Sequence, residues 1–277
     1  MNVLRIAAFS DGDSGGNPAG VVIVDALPAV DVMQRLAAEV GFSETVFAAK
    51  QDACWRVRYF SPETEVPFCG HATIALAAAL TLRDGDGTFA LRLNSADIRV
   101  EGRRDGAHIA AALQSPTTHS AVASPSLIAE ALTLFGYGRD DLDPRIAPAR
   151  IHGGADHLLL VLRTRAALSA MRYALDAGRK LMQREGLVTI MLAWADTPRR
   201  WHARNPFASG GIYEDPATGA ATAAFAGYLR DIDWPHEGAI DIVQGEDMDC
   251  RCLLHAQIPA ARGSSIRVSG TARIMRG

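Results

Sequence analysis

The distribution of apolar and polar positions predicts strands and helices throughout the first half of the chain. Two apolar runs near the start, VLRIAAF and GVVIVD, are typical of strands, and the Gly-rich segment between them is typical of a turn. The segment AVDVMQRLAAEVG has apolar residues at helical spacing, and Gly41 follows where a left-handed cap would end the helix. SETVFAAK and ACWRVRYFS again predict strands, because they are rich in β-branched and aromatic residues.

The second half shows a similar mixture. Ser124 and Pro125 are typical of a helix start, and Gly136 is typical of its end. Strands are predicted in ADHLLLVLR, LVTIMLAWA, AIDIVQG, CLLHAQI and SIRVSGTARI, and a further helix within LSAMRYALDAGRKLMQREG. We interpret LRDGDGTFALRLN as a hairpin with Asp-Gly at its turn. The segment QSPTTHSAVASP is rich in Ser, Thr and Pro, which predicts a linker.

A segment that begins at Gly70 recurs at Gly219. GHATIALAAAL and GAATAAFAGYL agree at six of eleven positions, with Gly, Thr and Leu in register. An internal repeat of this kind indicates a duplicated unit and therefore two domains, which we place at residues 1–115 and 116–277. Each repeat predicts an Ala-rich helix, and the simpler alternative is that both are ordinary core helices.

Composition narrows the classes of function. The 277 residues are 48% apolar, enough to build a core in each of two domains. The formal net charge of -3 leaves no basic surface for a phosphate backbone, so we expect no nucleic-acid partner. The apolar run at the start is too short for a signal peptide, and no run reaches the roughly 18 apolar residues of a membrane span. We therefore expect a cytoplasmic protein with no membrane partner and, from the spacing of its four cysteines, free thiols.

The start of each repeated helix is a candidate anion site. Four backbone N–H groups are unpaired there, and the helix dipole is equivalent to about +0.5 charge. Gly70 and Gly219 would let a small carboxylate approach the backbone closely. His71 should be neutral beside this dipole, whereas Asp215 could be a plain N-cap and Cys69 a plain buried thiol.

Four blocks in this order, GGNPAGVV, GFSETVF, FSPETEVPFCGHAT and GGIYEDPATGAA, resemble the phenazine-biosynthesis PhzF-like family. This family belongs to the diaminopimelate-epimerase fold superfamily. The resemblance implies an α+β fold of two pseudo-symmetric epimerase-like domains, each a strongly curved, mostly antiparallel sheet around a central helix. It also implies an active site in the cleft between them and a last strand that can return to the N-terminal domain. Members are typically cofactor-independent and often dimeric, so we expect no cofactor or metal, a homodimer, and a small carboxylate-bearing substrate.

The resemblance also implies roles for individual residues. Glu44 would move the proton in an isomerisation, and His71 and Asp215 would orient the substrate or assist its protonation. The implied substrate-binding residues are Asn17, Cys69, Gly70, Thr218, Gly219 and Ala220. Without the family, Glu44 is equally well explained as a general acid/base in apolar surroundings or as an exposed glutamate at a strand edge.

The chain departs in part from the pattern that this resemblance implies, including in the late block QGEDMDCRCLL. Epimerases use one cysteine from each helix start, and Cys69 matches the first, but the second repeat has none. Ala220 stands where many family members have Ser, which puts the phenazine substrate in doubt. Two alternatives stay open: a racemase or epimerase that uses Cys69, and a catalytically silent metabolite-binding or interaction protein. We interpret His152 and His157 as strand-end histidines, because further ligands at metal spacing are missing.

Overall fold

The computed structural model describes residues 1–275 and divides the chain into two compact units. The first unit contains Met1–Gln114 and the segment from Ser269 onward, and the second contains Ser115–Val268. Strands and helices are mixed in both units, so the predicted α+β class is confirmed.

The first unit is a mostly antiparallel sheet with two helices. In chain order its elements are β1 (Leu4–Ser10), β2 (Asn17–Val24), α1 (Val30–Val40), β3 (Thr45–Gln51), β4 (Cys54–Phe60), β5 (Glu65–Val66), α2 (Gly70–Asp84), β6 (Gly87–Arg92), β7 (Asp97–Asp105) and β8 (His108–Thr117). The strand pairs β1–β2, β3–β4, β6–β7 and β7–β8 are antiparallel, whereas β2–β3 and β4–β6 are parallel.

Helix α2 is the centre of the first unit. Its residues from His71 to Thr81 are all buried, and it packs against β1, β2 and β7. The many alanines of α2 let these strands approach closely. At Gly102 in β7 an added Cβ would lie only 1.9 Å from Thr81 Oγ1. The repeated segment therefore folds as a helix that is buried on every side.

The second unit likewise combines mostly antiparallel strands with helices. In chain order its elements are β9 (His119–Val122), α3 (Pro125–Phe135), β10 (Ala149–His152), β11 (Asp156–Val161), α4 (Arg165–Ser169), α5 (Leu175–Glu185), β12 (Thr189–Ala195), β13 (Arg200–Pro206), β14 (Glu214–Asp215), α6 (Gly219–Asp231), β15 (Ala239–Gln244), β16 (Cys252–Gln257) and β17 (Ser265–Ile274). The strand pairs β9–β10, β10–β11, β12–β13, β13–β14 and β15–β16 are antiparallel, whereas β11–β12 and β13–β15 are parallel. The last part of β17 belongs to the first unit, where it pairs with β1.

Helix α6 occupies in the second unit the position that α2 has in the first. It is buried along almost its whole length and packs against β9, β10 and β16. Gly153, directly after β10, lies so close that an added Cβ would be 2.7 Å from the Ala224 nitrogen. The Ala-rich composition of both repeats thus has one physical cause, which is close contact between helix and strand backbones.

The predicted helix ends are confirmed. Gly41 and Gly136 end α1 and α3 with φ angles of 72° and 70°, and the Leu127 N–H donates to Ser124 Oγ over 3.2 Å. The predicted hairpin at LRDGDG is wrong. Helix α2 continues through Asp84 and ends at Gly85, whose φ of 91° favours glycine.

The predicted linker is also wrong, because most of the segment from Gln114 to Pro125 lies in β8 and β9. Its polar side chains bind backbone groups. The Ile266 N–H donates to Ser115 Oγ over 2.9 Å, and the Thr118 hydroxyl donates to the Ser264 carbonyl over 3.1 Å. Such bonds explain why a Ser- and Thr-rich segment is ordered here.

Within residues 1–275, none of the four cysteines forms a disulfide, as expected. Within residues 1–275, no helix is both long enough and apolar enough to cross a bilayer.

Candidate active site

Glu44, Cys69 and His71 form a contact cluster in the first unit. Glu44 lies in the loop between α1 and β3, Cys69 directly precedes α2, and His71 is in the first turn of that helix. Glu44 Oε2 is 3.3 Å from His71 Nε2, and Cys69 Sγ is 3.3 Å from His71 Nδ1. The side chains of His71 and Glu44 are only 5% and 12% exposed. The imidazole therefore connects a thiol with a carboxylate away from bulk water.

One assignment of protons satisfies both contacts of His71 while the thiol and the imidazole carry no charge. The Cys69 thiol donates to Nδ1, and the protonated Nε2 faces the Glu44 carboxylate at 3.3 Å. Ser43 Oγ lies 3.4 Å from the same Nε2. In this arrangement the imidazole presents its N–H toward a carboxylate oxygen, which can accept a proton. Such a carboxylate is chemically competent as a base.

A buried hydrogen-bond chain fixes the backbone at Cys69. The Tyr59 hydroxyl donates to Thr73 Oγ1 over 2.7 Å, and the Thr73 hydroxyl donates to the Cys69 carbonyl over 2.6 Å. Burial raises the pKa of Tyr59 far above its ordinary value, so this phenol stays a neutral donor. The chain sets the direction in which α2 begins.

Asp215 is the centre of a second cluster, in the second unit. It lies in β14, opposite Asn205, and is 8% exposed. The Thr218 hydroxyl donates to Asp215 Oδ2 over 2.6 Å. Gln244 Nε2 donates to the Asp215 carbonyl over 2.7 Å, and Gln244 Oε1 accepts from the Thr218 N–H over 3.2 Å. Since α6 begins at Gly219 with Thr218 as its cap residue, the interpretation of Asp215 as a plain N-cap is wrong.

The starts of α2 and α6 differ from those of the other α-helices in residues 1–275. Neither has a side-chain cap or an acidic residue in its first turn. By contrast, α3 and α4 are capped by Ser124 and Thr164, and α1 and α5 carry Asp31 and Asp176 in their first turns. The backbone N–H groups at the start of α2 and α6 are therefore not neutralised by a side chain of their own helix.

The structure places the predicted site residues in two groups. Gly70 joins Glu44, Cys69 and His71 at the start of α2, and Gly219 and Ala220 follow Asp215 and Thr218 at the start of α6. Gly70 and Ala220 are half-buried. Asn17 is buried at the start of β2, opposite Ala8 of β1.

The family model described as "Phenazine biosynthesis-like protein" matches residues 6–277. The chain belongs to this family. It is 31% identical over 274 residues to the trans-2,3-dihydro-3-hydroxyanthranilate isomerase of Pseudomonas aeruginosa, covering 96% of this chain and 94% of that protein. It is 32% identical over 234 residues to an uncharacterized isomerase of the same organism, covering 81% and 79% of the two chains.

The fold agrees with this membership. The crystal structure of a PhzF-family phenazine biosynthesis protein from Bacillus anthracis matches 100% of this chain and 98% of its own, with a TM-score of 0.86 at 21% identity. The expected epimerase-type fold is thus confirmed. Together with the named isomerases among the relatives, the family membership identifies this protein as an isomerase.

Several residues of this phenazine biosynthesis-like isomerase were missed by sequence reasoning. Tyr59 and Gln244 anchor the two helix starts, yet the strand around each shows no local sign of its partner. Glu44, Cys69 and His71 could also bind a transition metal, since one oxygen, one sulfur and one nitrogen lie within 4.8 Å of one another. A metal there would occupy the same atoms that are available for proton transfer.

Proposed function

We propose that this family member is a cofactor-independent isomerase that moves a proton on a small carboxylate-bearing metabolite. The Glu44 carboxylate removes a proton from one carbon of the substrate, and the electron pair spreads over an adjacent conjugated acid. Glu44, now protonated, returns the proton to a different carbon, so the enzyme ends in its starting state. The observation that carries the proposal is the 3.3 Å contact between Glu44 and His71 beside the uncapped start of α2.

The other residues stabilise charge and fix orientation. His71 places its Nε2 3.3 Å from Glu44 Oε2, and the N–H groups near Gly70 and Gly219 bind the anionic part of the substrate. Asp215, held by Thr218, assists protonation or orients the substrate. A general acid/base usually accelerates a reaction by a factor of about 10² to 10⁴. Stabilisation of the anion therefore has to supply much of the remaining rate enhancement.

The proposed substrate class is a small cyclic or conjugated carboxylate. One relative is named for its action on trans-2,3-dihydro-3-hydroxyanthranilate, an acid of this class. Ala220 lies at the start of α6 and presents a methyl group there, which cannot donate a hydrogen bond to a substrate. We therefore propose a substrate related to this compound but different from it at the group that meets Ala220.

Deuterium exchange tests this proposal. A panel of small acids that includes trans-2,3-dihydro-3-hydroxyanthranilate is incubated with the protein in D₂O and followed by NMR. We expect deuterium at a carbon of at least one acid, and we expect Glu44→Gln to slow this exchange by about 10² to 10⁴. Glu39→Gln, the same change on the exposed face of α1, is the control and should exchange like the parent. Equal rates for Glu44→Gln and the parent would show that Glu44 does not transfer the proton.

The contact of Cys69 Sγ with His71 Nδ1 favours a second candidate, a racemase that uses the thiol. Cys69→Ser separates the two mechanisms. If Glu44 transfers the proton, Cys69→Ser should retain exchange within about tenfold of the parent, whereas a racemase that depends on the thiolate should lose at least about 10². If no acid exchanges while one of them still raises the melting temperature, the protein is a metabolite-binding protein instead.

A further inference from the structure

His119, His152 and Asp156 lie in one row across three neighbouring strands of the second unit. His152 ends β10, and its direct partners are His119 at the start of β9 and Asp156 at the start of β11. Both pairs are antiparallel, and directly opposite residues of an antiparallel pair share one face of the sheet. The three side chains therefore project from the same face.

The three side chains are also in contact. The rings of His119 and His152 stack with centroids 4.4 Å apart and an interplanar angle of 21°. His152 Nδ1 is 2.7 Å from Asp156 Oδ1. One ligand atom from each residue lies within 4.8 Å of the other two. His119 and Asp156 are exposed and His152 is half-buried, so water can reach the cluster.

The turn between β10 and β11 is fixed by packing. The Gly153 N–H donates to the Ala155 carbonyl over 3.3 Å, and Gly154 has a φ of 105°. Gly153 lies against the backbone of α6, where an added Cβ would be 2.7 Å from the Ala224 nitrogen. The distance between His152 and Asp156 is thus set by the rigid centre of the unit rather than by a free loop.

We propose that His119, His152 and Asp156 form a binding site for a divalent transition-metal ion, with Zn²⁺ as the best match. Two imidazoles and one carboxylate are common Zn²⁺ ligands, and water completes a tetrahedral shell. With Zn–N and Zn–O distances near 2.1 Å, the ligand atoms of such a shell are about 3.4 Å apart. Binding requires one imidazole to rotate out of the stack, so that a nitrogen lone pair of each ring points to the metal; the ligand atoms already lie within 4.8 Å of one another.

His157 is not part of this site, although it follows Asp156 directly. It is buried on the other face of β11, and its Nδ1 is 2.7 Å from Thr189 Oγ1. The interpretation of His152 as a strand-end residue without further ligands therefore changes, because strand pairing brings His119 to it from a distant part of the sequence.

Calorimetric titration with ZnCl₂ tests the site. We expect the parent to bind Zn²⁺ with a micromolar Kd, and His152→Gln to weaken this binding at least tenfold. Asp156→Asn keeps the size of the side chain and should also weaken it. His255→Gln is the matched control, because His255 Nδ1 is likewise 2.7 Å from a carboxylate, that of Asp241, but no third ligand of residues 1–275 joins this pair.

The Glu44, Cys69 and His71 cluster has to be distinguished from this site. The Cys69→Ser variant should still show the Zn²⁺ binding that depends on His152. Zn²⁺ should also raise the melting temperature of the parent more than that of His152→Gln. The proposal is overturned if the parent binds no Zn²⁺, or if His152→Gln retains all of the binding and Cys69→Ser removes it.

Discussion

Gly102 in β7 lies against Thr81 in α2 so closely that a methyl group at residue 102 would be 1.9 Å from the Thr81 hydroxyl oxygen. The hydroxyl cannot easily turn away, because it donates to the Ala77 carbonyl over 2.8 Å. The cross-strand partner of Gly102 is Gly87 in β6, where an added Cβ would meet nothing within 4 Å. Of these two glycines that face each other in one sheet, packing requires glycine at residue 102 but not at residue 87.

Gly102→Ala is therefore expected to destabilise the protein, whereas Gly87→Ala is not. Overpacking in a tight core costs about 1–3 kcal/mol, and the lost bond of Thr81 adds to this cost. Gly87→Ala should stay within about 0.5 kcal/mol of the parent. Urea unfolding of the two variants and the parent measures the difference. Equal stability of the two variants would contradict the contact between β7 and α2.

Much of this architecture was predictable from sequence, and the exceptions have local causes. The two repeated helices begin at Gly70 and Gly219, as the repeat predicted, because Gly, Thr and Ala recur in register. The Asp84–Gly85 pair was misassigned as a hairpin turn, since Asp-Gly can equally end a helix. The linker prediction failed because the partners of Ser115 and Thr118 come from β17 and the segment just before it, far away in sequence.

Thr73 and Thr222 occupy equivalent positions in α2 and α6 but differ in their hydrogen bonds. The Thr73 hydroxyl bonds to both Tyr59 and the Cys69 carbonyl. The Thr222 hydroxyl is buried and has no hydrogen-bond partner among the described residues. The same substitution, Thr to Val, should therefore have different effects at the two positions.

Thr73→Val is expected to cost about 1–3 kcal/mol, because it leaves the Tyr59 hydroxyl buried and unpaired. It should also lower turnover, since the backbone at Cys69 loses its anchor. Thr222→Val should be neutral or slightly stabilising. Chemical denaturation and the exchange assay measure both quantities, and an equal loss of stability in the two variants would show that Thr222 has a partner in solution.

His157 makes the stability of the protein depend on pH. Burial lowers its pKa from 6.5 to about 3, while Asp156 raises it and His152 lowers it by smaller amounts. The unfolded chain takes up a proton at this histidine near pH 6.5, but the folded protein does not until near pH 3. The free energy of unfolding therefore decreases as the pH falls, by about 2 kcal/mol from this residue at pH 5.

Unfolding at pH 7 and pH 5 tests this assignment. The loss of stability between the two values should be smaller in His157→Gln than in the parent. His255→Gln, which removes a more exposed histidine, should retain the loss of the parent. If His157→Gln and the parent lose the same free energy, His157 is not the group responsible.

The candidate site was only partly predictable. Motifs indicated Glu44, His71 and Asp215, because each lies in a short block that matches the family pattern. The residues that hold them in place, Tyr59 and Gln244, lie in strands whose pattern shows only that they are buried. Which buried polar atoms meet is decided by packing between distant segments, and one sequence contains no record of that pairing.

Arg204 forms a buried ion pair with Glu214, the residue directly before Asp215. Their side chains are 8% and 2% exposed, and Arg204 Nε is 3.0 Å from Glu214 Oε1. Arg204 Nη1 also donates to the Ser169 carbonyl over 3.0 Å. This pair fixes β14, the two-residue strand that carries Asp215.

Glu214→Leu is expected to cost about 3–5 kcal/mol, because it leaves the Arg204 charge buried and unpaired. Replacing both residues, as in Arg204→Met with Glu214→Leu, should cost less than the single change, since no isolated charge remains. Arg262→Ala is the control. It breaks an exposed ion pair with Asp233 at 2.9 Å and should cost less than about 1 kcal/mol. If Glu214→Leu also costs less than about 1 kcal/mol, the pair is hydrated in solution and β14 is held by its strand pairing with β13 alone.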